Sequence, residues 1–234
     1  MKIAIQTLLA LVLTGAGQAG AASSSDSAFS GTMKDMVVLP MQALVVARKN
    51  GHTVIVSDNG RFVVRGELYD TWSKRTLRDL DDAREAASRI DLDKMRLKIA
   101  DLGPLVYGGG AERVTVLLDG DRTASRSLLD QIRALGNHYT FDLVLMPGGT
   151  TQSVEAARDY RCATVPRQAA ERLVSSGDTT GLNIDPGCTP ELAMRAMVAA
   201  RLLGVRSLPF LIAPDGRVHQ GAPGDLSRWL GDAS

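Results

Sequence analysis

Aromatic side chains are scarce in this chain: four Phe, four Tyr and two Trp make up 4% of the sequence, so the core must be built mostly from Leu, Val, Ile, Ala and Met. Histidine is rarer still. Its three copies show no metal-ligand spacing, and neither a metal nor a cofactor is expected. No Gly-x-Ser-x-Gly elbow is present, and nothing in the sequence places His138 or His219 beside Ser125, which argues against a serine hydrolase. Gly108-Gly109-Gly110 is not followed by Gly-Lys-Ser/Thr, so it reads as a flexible hinge and not as a phosphate loop.

Neither sign of charge is in excess. Lys2 is the only charged residue among the first 21, and without that segment 26 basic face 26 acidic residues. A neutral chain gives no electrostatic case for nucleic acid or anionic membranes. Long apolar runs are also lacking. The longest, Ile3 to Leu13, is too short to span a bilayer, but with Met1-Lys2 before it and Ala19-Gly20-Ala21 after it the stretch has the three parts of a secretory signal, cleaved near Ala21. An exported protein with no membrane span after signal removal is expected, with Ala22 to Met33 and Lys34 as a flexible start.

Cysteine is limited to Cys162 and Cys188. In an oxidising compartment an even pair reads as a bridge, with a redox-active pair and two separate thiols as the alternatives. Closing that loop would stabilise the fold by roughly 3.6 kcal/mol in the chain-entropy view.

The remaining pattern is readable. His52 to Val56 and Arg61 to Val64 flank Ser57-Asp58-Asn59-Gly60, the Asn-Gly signature of a hairpin. With Met41 to Val46 before it and Gly66 to Asp70 after it, a small antiparallel module over residues 35–75 is expected. Leu77, Leu80, Ala83, Ala87 and Ile90 recur at helical spacing, so 76–102 reads as a linker helix. From 103 to 232, strand and helix patterns alternate: Val114 to Leu118, Ser125 to Leu135, Phe141 to Met146, then helices over 154–160 and 165–175. That alternation predicts an α/β domain, α+β for the whole chain. A further helix runs from Glu191 to Leu203 with Thr189 as its cap. Because it is apolar nearly all round, it should be buried. Pro209 opens a strand, Asp215-Gly216 turns it back, and Asp225 caps a last helix.

This order resembles the bacterial periplasmic disulfide isomerases of the DsbC type, over about residues 35 to 232. Val54 to Asp70 is similar to that family's dimerisation module, and Gly204-Val205 to Pro209 to the loop that carries its cis-proline. The resemblance implies a C-terminal thioredoxin-like domain with a helical insert, a homodimer through the N-terminal module, and a cleft for unfolded or extended polypeptide. It implies a cis Leu208–Pro209 bond, a non-catalytic Cys162–Cys188 bridge, and contacts to polypeptide from Leu208, Pro209, Thr123 and Ala124. At one place the chain departs from the family. Alongside the active-site turn stands Asp119-Gly120-Asp121-Arg122-Thr123-Ala124-Ser125, with Arg122 and Ser125 at the two cysteine positions. Exchange needs a thiolate. The resemblance therefore implies a redox-inactive periplasmic chaperone or an assembly component of a secretion or conjugation apparatus. The alternative is an oxidoreductase that uses Cys162 and Cys188 or acts with a redox partner.

Overall fold

The computed structural model describes residues 43–49, 52–120 and 125–231. The signal segment, the 22–34 stretch and Arg122, Thr123 and Ala124 lie outside those residues.

A three-stranded antiparallel sheet comes first, in the order β1 (Leu44–Lys49), β2 (His52–Ser57), β3 (Val63–Val64). Its second turn is closed as Asn-Gly requires: Gly60 takes φ +70°, and the Asn59 carboxamide oxygen accepts from the Ser57 hydroxyl at 2.7 Å and the Arg61 amide at 3.0 Å. A second hairpin follows, β4 (Leu68–Asp70) with β5 (Arg75–Leu77). The Asp70 carboxylate accepts from the Trp72 amide at 2.9 Å and the Ser73 hydroxyl at 2.5 Å across its turn.

Helix α1 covers only Leu80–Ser88, capped by Asp79, whose carboxylate accepts from the amides of Asp81 and Asp82. The expected single helix over 76–102 is not formed. Arg89 bridges Arg217 as a strand would, and the Ile90 amide donates to the Gly216 carbonyl at 2.8 Å. Leu92, Met95, Leu97 and Ile99 then pack on the domain core, ending in a 3₁₀ turn at Ile99–Leu102. Packing against a distant segment overrides local helical spacing.

The domain is built on five strands: β6 (Leu105–Gly108), β7 (Glu112–Asp119), β8 (Tyr139–Met146), β9 (Phe210–Ile212) and β10 (Val218–Gln220). Their order is β10-β9-β7-β8-β6, with β7 and β8 parallel and the other pairs antiparallel. Strand alternation divides the core in two. Val114, Val116 and Leu118 join Phe141, Leu143 and Leu145 on the face covered by α2 (Arg126–Leu135), α3 (Thr151–Arg161), α4 (Pro166–Ser175) and α6 (Leu226–Gly231). Leu117, Val144, Met146, Phe210 and Ile212 lie on the other face, under α5 (Glu191–Leu202). The result is a three-layer α/β domain with the thioredoxin-like strand order.

Three expectations are corrected here. The Gly108-Gly110 stretch is not a loose hinge: a Cβ on Gly110 would sit 1.9 Å from the His138 carbonyl oxygen, and one on Gly108, at φ +90°, 2.4 Å from that of Tyr139. Glycine is what lets β6 turn into β7 against the start of β8. Thr189 does not cap α5, whose amino end at Pro190 has no side-chain cap. Nor is α5 buried all round. Ala196, Ala199 and Ala200 lie against the sheet, and Met194, Met197, Val198 and Leu202 face outward. Small residues let the helix approach the sheet closely, which leaves its larger side chains on the far side.

Candidate functional site

The carboxyl ends of β7 and β8 and the amino end of β9 meet at one edge of the sheet. Leu117 is the register partner of Phe210, so Pro209 falls opposite Leu118, one residue before β7 ends. The Leu208–Pro209 bond is cis and Pro209 is buried. Beyond Asp119 and Gly120 the chain re-enters the described residues at Ser125, immediately before α2. The Ser125 hydroxyl is buried and makes no hydrogen bond among the described residues. Of the residues expected at the site, Ser125, Leu208 and Pro209 are therefore described at this edge, while Arg122, Thr123 and Ala124 lie outside the described residues.

The loops that follow the two parallel strands are tied together by Ser153. Its hydroxyl donates to the Asp119 carboxylate and accepts from the Gly148 amide at 3.0 Å, while its own amide donates to the Thr150 hydroxyl at 3.1 Å, capping α3. The packing has no spare room. A Cβ on Gly148 would lie 2.1 Å from the Ser153 hydroxyl and 2.2 Å from an Asp119 carboxylate oxygen. This is a positioning device; no imidazole is part of it. His138 precedes β8, at the opposite end of the sheet, and the His219 ring packs edge-on to Trp229 with its Nδ1 2.9 Å from the Gly221 carbonyl. The structure thus brings neither histidine to Ser125.

Sequence reasoning missed Gln220. Its carboxamide oxygen accepts from the amides of Arg206 at 3.1 Å and Ser207 at 3.3 Å, and its amide nitrogen donates to the Gly204 carbonyl at 3.0 Å. The Gly221 amide donates to the Pro209 carbonyl at 2.7 Å. One side chain on β10 therefore shapes the loop that leads into Pro209. The only signal in the sequence is a polar residue at the end of a short strand, which is too common to single out. Beside this loop a groove of about 900 Å³ opens between the β4–β5 hairpin and the domain, walled by Trp72, Arg75, Ile90, Arg206, Phe210 and Ile212.

Cys162 and Cys188 are joined in a disulfide, with Cα atoms 5.6 Å apart. Cys162 ends α3, and the segment that carries Cys188 is pinned to it by Asp185 N–H to the Cys162 carbonyl at 2.8 Å and Thr164 N–H to the Asn183 carbonyl at 2.8 Å. Arg161 beside it donates to the Leu145 carbonyl, and burial pulls its pKa below the ordinary arginine value. Among the described residues no group of His, Cys, Asp and Glu could hold a metal, and no helix is long and apolar enough to cross a membrane.

No family model and no curated protein matches the chain. Solved structures do. A disulfide interchange protein from Neisseria gonorrhoeae is similar at 17% identity and a TM-score of 0.49, over 58% of this chain and 97% of that one. The thiol-disulfide exchange protein alpha-DsbA2 from Wolbachia pipientis is similar at 16% identity and 0.48, over 66% and 97%. A periplasmic thioredoxin-like protein from Salmonella enterica serovar Typhimurium gives 15% identity and 0.43, over 56% and 90%. At these identities the likeness concerns the fold, and the site must be read from its own residues.

Proposed function

We propose that this chain is a periplasmic polypeptide-binding protein on a thioredoxin-like scaffold, without thiol exchange chemistry of its own. One observation carries the reading: the two cysteines of the sequence are bonded to each other at the end of α3, and neither lies at the head of α2, where Ser125 stands and where the resemblance would put a dithiol. The loop that Gln220 holds beside Pro209, with the adjoining groove, would receive an extended segment through backbone pairing and shallow apolar contacts. Arg122, Thr123 and Ala124 would complete the site. The N-terminal module supports a homodimer, because among the described residues β1 and β3 are both open edges, with Leu44, Val45, Val63 and Val64 exposed on them. A role as a chaperone or as an assembly component of a secretion or conjugation apparatus fits such a molecule.

The test compares insulin reduction and scrambled-ribonuclease refolding by the natural protein and by Arg122→Cys/Ser125→Cys. An inert natural protein beside an active variant supports the reading. Activity in the natural protein overturns it. A second reading rests on the disulfide itself. Cys188 is half-exposed and the bridge borders a hollow of about 520 Å³ lined by Arg161, Thr164, Asp185 and Leu192, where a client thiolate could attack. Activity that survives in the natural protein and is lost in Cys162→Ser/Cys188→Ser would establish this second reading.

A further inference from the structure

The outward face of α5 is organised by both shape and charge. At about 100° per residue, Met194 and Leu202 lie roughly 40° to either side of Val198, so the three form one continuous stripe along the helix. They are 52%, 61% and 56% exposed in the order Met194, Val198, Leu202, and Met197 flanks them. Arg195 and Arg201 stand about 60° to opposite sides of Val198, so an arginine borders each side of the stripe. Glu191 pairs with Arg195 at 2.5 Å. Among the described residues no carboxylate pairs with Arg201, and Arg206 lies exposed just past the helix end.

We infer that α5 is a docking face for an amphipathic segment of another protein, one whose apolar ridge is bordered by Asp and Glu. The surface is separate from the Pro209 loop, and the inference does not rest on the function proposed above. A narrow apolar stripe with unbranched methionines accepts the ridge of a facing helix without demanding one fixed shape. Arg195 is already offset by Glu191, so Arg201 and Arg206, which no carboxylate offsets among the described residues, select the partner's charge. A second copy fits poorly. An antiparallel pair about Val198 would bring Arg195, Arg201 and Arg206 of both copies to one seam, with only the two Glu191 carboxylates to offset them. A membrane surface fits poorly too, because the stripe is one residue wide and carries no Trp, Phe or Lys of the kind that anchor an interfacial helix.

The test uses two fluorescent 18-residue helical peptides with the same leucine ridge, one flanked by Glu and one by Lys, titrated into the protein by anisotropy. The acidic peptide is expected to bind at least about tenfold more tightly. Val198→Glu should weaken it at least about tenfold, and Arg195→Glu/Arg201→Glu should reverse the preference between the peptides. All these positions are exposed, so an unchanged thermal transition confirms that each variant is folded. Equal binding of both peptides, or no binding of either, overturns the inference. Sedimentation of the protein alone, and flotation with phosphatidylglycerol vesicles, supply the other occupants. Self-association or vesicle binding that Val198→Glu abolishes would assign the face to a second copy or to lipid, and would overturn it as well.

Discussion

The Gln220 side chain spans the loop that starts at Gly204, donating to the Gly204 carbonyl while its oxygen takes the amides of Arg206 and Ser207. Three hydrogen bonds from one amide fix a segment that has few partners of its own. Gln220→Ala should cost about 1 kcal/mol of global stability, because the bonds are open to water and each contributes modestly. The local effect should be larger. Amide exchange at Arg206 and Ser207 is expected to speed up far more than exchange in β7, and binding of an extended peptide near Pro209 to weaken. Unchanged exchange at those two amides would show that the loop keeps its shape without Gln220.

Much of the architecture can be read from local pattern. The Asn59-Gly60 turn and the Asp225 cap, whose carboxylate accepts from the Arg228 amide at 2.9 Å, depend on residues a few positions apart, and both are legible in the sequence. What is illegible depends on distant partners. Leu77 to Ile90 has helical spacing to its end, yet the helix stops where Ile90 finds Gly216. The apolar run of α5 cannot reveal which side the sheet approaches; Ala196, Ala199 and Ala200 decide it by being small. Gln220 matters because a loop more than ten residues earlier folds back over it. At the sheet edge the cis bond before Pro209 is legible through the family resemblance, whereas Ser153 and Gly148 become neighbours of Asp119 only in three dimensions.

Arg113 and Asp142 form an ion pair across the domain sheet, between β7 and β8. The Arg113 Nε donates to the Asp142 carboxylate at 2.9 Å, the Asp142 side chain is only 6% exposed, and the hydrogen bond raises the Arg113 pKa. Removing the arginine leaves a carboxylate in the sheet without its cation. Arg113→Ala should destabilise by about 2 kcal/mol, less than the loss of a fully buried pair, because the arginine is itself half in water. Arg113→Met/Asp142→Leu should recover most of that loss. Urea unfolding of the three proteins checks both statements, and a double variant worse than the single would disprove the account.

Gly148 and Gly109 make a matched pair of tests. At Gly148 an added methyl would collide with the Ser153 hydroxyl and the Asp119 carboxylate, whereas at Gly109 nothing lies within 4 Å. Gly148→Ala should cost about 2 kcal/mol and disturb the loops at the carboxyl ends of β7 and β8. Gly109→Ala should stay within about 0.5 kcal/mol of the natural protein. Thermal unfolding of both, with spectra of the amides around Asp119, distinguishes a site-specific clash from a general intolerance of loop substitution.

Asp215 ties the linker to the last hairpin and should give the join a dependence on pH. Burial raises its carboxyl, but hydrogen bonds from the Arg217 amide and guanidinium, with the charges of Arg217 and Arg89, more than reverse this, and its pKa lies below the ordinary aspartate value. A carboxylate depressed in the folded state contributes stability that is fully present above its unfolded pKa of about 3.9, and that is lost as pH falls through the lower folded value. Asp215→Asn should therefore be less stable than the natural protein at about pH 7, by no more than roughly 1 kcal/mol for a pair this exposed. The difference should close as pH is lowered through the depressed folded value, where the natural carboxyl also takes up its proton. Exchange of the Ile90 amide, which is bonded to Gly216 beside this pair, should accelerate in the same acidic range. A stability difference that holds constant through that range would mean that Asp215 acts through its shape and not through its charge.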